Sequence, residues 1–207
     1  MTYSIRPMSK DDLEQVNEID REAFPSQWPP ANYRQELQNK IAHYIVACDD
    51  AKTITLSPTA QKSQAGLLHR LMFWTRRRPQ ADPPVPAVRK YIAGFSGLWM
   101  LADEAHVTNL AVRQAYRGKG IGELLLLSSI DLAAELNARY LTLEVRASNL
   151  VAQSLYRKYG FVQMGVRRGY YLDNHEDAII MSTDSISSIT FIELTRELRE
   201  ALKKKFE

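Results

Sequence analysis

The chain has 207 residues with a formal net charge of +3, and 45% of its residues are hydrophobic, enough for one domain with a substantial core. It contains no apolar run of the length that crosses a bilayer, and its polar start lacks a signal-peptide core, so we expect a cytoplasmic protein. The single cysteine, Cys48, excludes an internal disulfide, and the four histidines lack metal-site spacing, so we expect no metal.

The first 48 residues predict a strand, two helices and a second strand. Residues 3–6 alternate as a strand does, and residues 11–24 carry apolar side chains at helical spacing after Ser9, a candidate N-cap. The proline-containing stretch 24–30 ends this helix. A short helix at 32–38 and an apolar strand at 44–48 follow.

Residues 49–90 differ in composition from the rest of the chain. They hold five prolines and eight lysines and arginines against three aspartates, a net charge of +5, which leaves −2 for the remainder. Structureless connections of this length are unusual inside a compact domain, so we interpret the segment as an insertion. Residues 66–78 mix apolar side chains with four arginines, the pattern of an amphipathic helix for RNA or an acidic membrane. A disordered or self-packed insertion is the alternative.

The remainder predicts strands and helices that alternate. Strands are predicted at 91–100, 104–112, 140–145, 161–171 and 178–181, and helices at 123–137, 149–159 and 191–206. This order indicates a mixed α/β fold. We expect one domain at 1–185, interrupted at about 49–90, with a charged C-terminal helix at 186–207.

Residues 107–127 form the stretch with the clearest functional pattern: a strand, a basic glycine-rich loop and the start of a helix. The first amides of a helix lack internal acceptors and favour an anion, and glycines let a backbone approach it closely. Arg117 and Lys119 add positive charge. The spacing is neither a Walker A loop nor GxGxxG, because Glu123 stands where the third glycine would be. We predict a phosphate or pyrophosphate site, with a glycine turn before a core helix as the alternative.

Three polar residues after this loop are candidates for the chemistry. Glu144 lies near the carboxyl end of its strand, where open α/β sheets bind ligands, and can act as a general base. Tyr156 carries a phenol that can protonate a leaving thiolate. Asn149 begins the helix between them. Taken singly, the three could be a solvated glutamate, a core aromatic and an N-cap.

Taken together, these stretches resemble the GNAT family of N-acetyltransferases. The resemblance rests on R-x-x-G-x-G at 117–122, LEVRASN at 143–149 and LYRKYGF at 155–161. LEVRASN, together with RRGYY at 167–171 and EDAIIM at 176–181, is similar to the bacterial ribosomal-protein N-terminal alanine acetyltransferases within that family. The resemblance covers roughly 1–48 and 90–184. It implies a mixed, mostly antiparallel sheet that is flanked by helices and splayed at an acetyl-CoA site.

The resemblance also implies roles for individual residues. Acetyl-CoA would be the donor, and Glu144 and Tyr156 would be the general base and general acid of a direct transfer to an amine. Asn149 would contact the cofactor near its reactive end. The pantetheine arm would pair with the backbone of Leu110, Ala111 and Val112, and the pyrophosphate would lie on Arg117, Gly118, Lys119, Gly120, Ile121, Gly122 and Glu123.

The acceptor that the resemblance implies is the N-terminal alanine of a protein, a ribosomal protein above all. An α-amine has a pKa of about 8 against about 10.4 for lysine, so one carboxylate deprotonates it at less cost. Selection would need a small pocket near Tyr170 and Tyr171, although 167–171 could equally be an ordinary exposed strand. Lysine side chains or small-molecule amines are alternative acceptors. A non-enzymatic acyl-CoA sensor, tethered to RNA or membrane by the insertion, is a third hypothesis.

Overall fold

The computed structural model describes residues 3–26, 30–56 and 87–207. One sheet runs through these segments. Its strands are β1 Tyr3–Pro7, β2 Ala42–Leu56, β3 Ala87–Leu101, β4 Glu104–Val112, β5 Tyr140–Arg146, β6 Val162–Tyr171 and β7 Glu176–Ser182. The helices are α1 Leu13–Ala23, α2 Tyr33–Glu36, α3 Ile121–Glu135, α4 Leu150–Lys158 and α5 Ile189–Phe206. None of these helices is long and apolar enough to cross a membrane.

The strands are ordered β1-β2-β3-β4-β5-β7-β6, and each neighbouring pair is antiparallel except β4 and β5, which are parallel. The predicted mixed, mostly antiparallel sheet flanked by helices is therefore confirmed. Helices cover both faces, as the alternation along β2 shows. Val46 and Cys48 lie in the core cluster beneath α1 and α2, whereas Ile45 and Ala47 pack with Ile121 of α3.

The hairpin of β2 and β3 is longer than predicted. Residues 49–56 and 87–90, which we assigned to the insertion, are strand, and Thr53 pairs with Lys90 as Thr55 does with Val88. We did not predict this extension because a register irregularity between Asp49 and Thr53 interrupts the alternation of side chains along β2. The amphipathic pattern at 66–78 lies outside the described residues, so RNA or membrane contact stays a prediction.

The C-terminal helix α5 packs on the domain. Phe191 and Leu202 are buried in the same cluster as Leu126 and Ile130 of α3, and Arg199 pairs with Asp131 at 2.6 Å. Because its apolar side chains complete this core, α5 packs along α3.

The feature that opens the sheet is a bulge in β4. Gly97 pairs with Asn109 but Leu98 pairs with Val107, so Thr108 is an extra residue in its strand. Gly97 permits this geometry, since an added Cβ would collide with the Tyr44 ring and lie 2.8 Å from Thr108 Oγ1. Bulges bend the strand that carries them. The pairing between β4 and β5 comprises residues 104–107 with 140–143, after which the strands diverge.

Candidate active site

A cavity of about 950 Å³ lies where β4 and β5 separate. Its walls come from both strands, from α4, from the connection after α1 and from the turn after β6. The side chains that line it include Asn109, Leu110, Glu144, Asn149, Tyr156 and Tyr171. The structure therefore brings the predicted catalytic pair and Asn149 into one cleft, beside the strand predicted to bind the cofactor.

Glu144 lies in the wall of the cleft with its side chain 9% exposed. His106 Nε2 lies 3.0 Å from Glu144 Oε2, and Arg167 Nη1 lies 3.1 Å from Oε1. The hydrogen bond with His106 holds the pKa of Glu144 below its ordinary value against the opposing effect of burial, and the charge of Arg167 adds to the lowering. The carboxylate is thus ionised at neutral pH, as a general base must be.

His106 connects Glu144 to a second carboxylate. His106 Nδ1 lies 2.9 Å from Thr142 Oγ1, and the Thr142 hydroxyl donates to Glu104. Our sequence interpretation missed His106, because its relation to Glu144 depends on the register of the parallel pair, in which His106 stands opposite Thr142. Alternation then places Glu104 and His106 on the same face as Thr142 and Glu144.

Tyr156 has the properties of both interpretations that we weighed. The side chain is buried, and its ring packs against Phe161 with centroids 5.6 Å apart, as a core aromatic does. It also lines the cleft. Burial raises the pKa of Tyr156, with a smaller contribution from Tyr171, so the phenol keeps its proton at neutral pH. A protonated phenol can serve as a general acid.

The glycine loop has the conformation of an anion cradle. Gly118 and Gly120 adopt positive φ angles of 74° and 89°, which favour glycine. Helix α3 begins at Ile121, so the first-turn amides of Ile121, Gly122 and Glu123 have no acceptor one turn earlier in the helix. An added Cβ at Gly118 meets nothing within 4 Å, so side chains here would project into the space in front of the loop.

The charged side chains of this loop are held in different directions. Arg117 Nε donates to Val112 O at 3.2 Å, and Lys119 Nζ lies 5.1 Å from the centroid of the Tyr116 ring. The carboxylate of Glu123 turns instead toward α4 and α5, where it accepts a hydrogen bond from Lys158 and one of 3.1 Å from the Tyr159 hydroxyl. A phosphate contact by Glu123 would therefore have to use its backbone amide.

The segment Leu110, Ala111 and Val112 has one edge occupied by β3, where these residues pair with Ser96, Phe95 and Gly94. The edge toward β5 faces the cleft, because the pairing of β4 with β5 covers 104–107. Backbone groups along such an edge can accept an added strand-like ligand. Asn149 is an N-cap, since its Oδ1 accepts from the amide of Ala152 at 3.1 Å, and it also lines the cleft.

The far side of the cleft is built around Arg146. Its guanidinium lies 3.9 Å from the Tyr171 ring centroid and pairs with Asp173 at 2.9 Å and Glu176 at 3.1 Å. Asp173 also accepts a hydrogen bond from Ser26, which ties the connection after α1 to the turn after β6. These contacts fix Tyr171 in the wall of the cleft.

A second polar group at this end was absent from the sequence interpretation. Trp99 Nε1 donates to Glu36 Oε2 at 2.8 Å, and the Tyr44 hydroxyl donates to the same oxygen at 3.4 Å. All three residues line the cleft, and Trp99 stands opposite His106 in the sheet. This part of the cleft therefore contains two carboxylates, Glu36 and Glu144.

Residues 56–161 match the model of the acetyltransferase (GNAT) family. A Bacillus subtilis protein, provisionally named a ribosomal protein bS18-alanine N-acetyltransferase, is 34% identical over 179 residues, 86% of this chain and 93% of its own length. The chain belongs to the GNAT family.

Two further comparisons agree with this membership. The ribosomal protein bS18-alanine N-acetyltransferase of Escherichia coli K12 is 42% identical over 93 residues, 44% of this chain and 63% of that protein. The crystal structure of the Escherichia coli ribosomal-protein-S18-alanine N-acetyltransferase superposes with a TM-score of 0.63 at 24% identity, covering 91% of this chain and 97% of that one. The protein is thus an acyltransferase with the GNAT fold.

Proposed function

We propose that this GNAT protein transfers an acetyl group from acetyl-CoA to the N-terminal α-amine of a protein that begins with alanine, a ribosomal protein of the bS18 type. One observation carries the proposal: an ionised carboxylate, Glu144, and a protonated phenol, Tyr156, line a single cleft beside an open strand edge. The names of the Bacillus subtilis and Escherichia coli relatives support the choice of acceptor.

The residues of the cleft and of the adjoining glycine loop fit acetyl-CoA. The edge of β4 at 110–112 offers backbone groups to an amide-containing arm, and the loop at 117–123 offers helix N-terminal amides to a pyrophosphate. Asn149 lines the same cleft as the catalytic pair. When bound, acetyl-CoA supplies an acetyl group that is activated as a thioester.

The protein side chains accept one proton and donate another during the transfer. Glu144 removes a proton from the acceptor ammonium, directly or through water, which leaves a neutral amine as the nucleophile. His106, Thr142 and Glu104 continue from Glu144 as a chain of contacts that holds the imidazole against the carboxylate. Tyr156 gives its proton to the sulfur of the leaving group.

The shape and charge of the acceptor end favour an N-terminal amine. Glu36 and Glu144 line the opening and attract an ammonium group, and an α-amine loses its proton more readily than lysine because its pKa is about 8 rather than about 10.4. Tyr171, held under Arg146, limits the space beside the amine. A small first side chain such as that of alanine suits this restriction.

A peptide panel tests the acceptor. We expect kcat/KM to be highest for peptides that begin with alanine, reduced when the same peptides begin with leucine, and lowest when the N-terminus is blocked and one internal lysine is free. The reaction is followed by mass spectrometry of the acceptor. Equal or higher rates on the blocked lysine peptide would overturn the N-terminal assignment and favour lysine acetylation.

A further inference from the structure

The C-terminal helix ends against the glycine loop. An added Cβ on Gly120 would lie 3.1 Å from Leu202 Cδ1 and 3.2 Å from Phe206 Cζ, both in the last turns of α5. The Phe206 ring packs on Tyr3 with centroids 5.4 Å apart, and Leu202 is buried. The position of this part of α5 relative to the loop is therefore set by packing on both sides.

Two lysines from different helices meet at the first turn of α3. Lys158 of α4 donates to Glu123 Oε2, and Lys205 Nζ of α5 lies 3.6 Å from Glu123 Oε1. The Glu123 side chain is 18% exposed, whereas both lysine side chains are 46% exposed. One inward-facing carboxylate thus holds two ammonium groups that remain open to solvent, with an excess of one positive charge beside the amides of the loop.

The basic side chains of the loop itself are directed elsewhere. Arg117 contacts the end of β4, and Lys119 lies over Tyr116. Lys158 and Lys205 flank the side of the cradle that α4 and α5 form. A lysine ammonium binds a phosphate as a compact, strongly hydrated charge, so half-exposed lysines suit a phosphate at the protein surface.

We propose that Lys158 and Lys205 bind the 3′-phosphate of CoA and that Glu123 positions them for it. The inference rests on the proposed function, in which the loop binds the pyrophosphate of the same molecule. The 3′-phosphate belongs to the ribose attached to that pyrophosphate, so it reaches groups bordering the loop. Helix α5, to which the motif resemblance does not extend, thereby becomes part of the cofactor site.

Calorimetry with CoA and with 3′-dephospho-CoA tests the proposal without relying on turnover. We expect the wild-type protein to bind CoA roughly tenfold or more tightly than 3′-dephospho-CoA, since each half-exposed cation contributes a factor of a few to a charged contact. Lys205→Ala and Lys158→Ala should each reduce this preference roughly threefold or more, while the affinity for 3′-dephospho-CoA changes little. Lys203→Ala is the matched control, because Lys203 lies on the same helix and pairs with Glu200 at 2.9 Å rather than with Glu123.

Each other outcome has a defined meaning. If Lys205→Ala and Lys158→Ala weaken both ligands equally, or leave both unchanged, the lysines act only as partners of Glu123 and the proposal is wrong. If Lys203→Ala reduces the preference as much as Lys205→Ala, the effect is one of overall charge, and the assignment to these two side chains is also wrong. Failure of the wild-type protein to bind either ligand would overturn the proposed cofactor instead.

Discussion

The two ends of the cleft are built in different ways. At the proposed cofactor end, the glycine loop and the open edge of β4 present backbone groups from one continuous stretch, residues 110–123. At the acceptor end, the wall depends on side chains brought from distant segments, such as Ser26 with Asp173 and Glu36 with Trp99. A backbone site tolerates most changes of side chain and fails when the backbone is obstructed, whereas a side-chain site fails when one partner is removed.

The largest effect should come from changing Glu144, the proposed general base. Glu144→Gln removes the base but keeps the size of the side chain, so we expect kcat to fall by about 10²–10⁴-fold, as for other general bases. CoA affinity, which depends on the other end, should change little. Steady-state assays measure kcat, and calorimetry measures the affinity for CoA. Near-normal turnover would mean that Glu144 is an ordinary buried glutamate.

Tyr156→Phe should act at the leaving group with a similar or smaller loss of kcat, again about 10²-fold or more for an acid. The ring packing with Phe161 can persist in this variant, so the melting temperature is the control and should stay close to the wild-type value. A fall in CoA affinity that matched the fall in kcat would contradict a role confined to proton transfer.

Gly122→Asp tests the backbone end. An added Cβ at Gly122 makes ordinary contacts, the nearest at 3.6 Å to Leu155 Cδ2, so the fold should tolerate the change. The carboxylate would oppose a phosphate at the first amides of α3. We expect CoA affinity to fall at least tenfold, with Gly122→Ala as the neutral control. Unchanged CoA binding by folded Gly122→Asp would rule out the loop as the phosphate site.

His106→Gln should have a smaller effect that depends on pH. The hydrogen bond from His106 lowers the pKa of Glu144 while burial raises it, so removing the imidazole lets that pKa rise. The acid limb of the kcat profile should therefore move to higher pH, with a loss of activity that is greatest at low pH. A profile that falls equally at every pH would show that His106 only supports packing.

The smallest effect concerns the stability of the acceptor wall. Hydrogen bonds from Ser148 and from Arg146 lower the pKa of Glu176 to about 2. Since the pKa in the folded state lies below that of the unfolded chain, this group stabilises the fold above the unfolded pKa and loses that effect as the pH falls toward about 2. The difference in melting temperature between wild type and Glu176→Gln should thus shrink from pH 7 to pH 2.5. A melting-temperature difference that stays constant between pH 7 and pH 2.5 would contradict a stabilising role for the Glu176 carboxylate.

The sequence predicts much of the cofactor end because its signals are local. The strand at 104–112 has the predicted bounds, and the glycine loop leads into α3 as expected. The extension of β2 beyond Cys48 was missed because an irregular, charged stretch interrupts its alternation. His106 and Glu36 were missed for another reason. Their partners lie on other elements, and contacts between elements produce no periodic pattern in the sequence.

The extra residue at Thr108 shifts the alternation of side chains along β4 by one position. Before it, the odd-numbered Ala105 and Val107 lie in the core cluster with α3; after it, the even-numbered Leu110 and Val112 pack against α3. Removing Thr108 would restore one continuous alternation and keep these apolar residues on the same face. It would also remove the bend that separates β4 from β5, so the loss of a single residue could close the cleft while leaving the core intact.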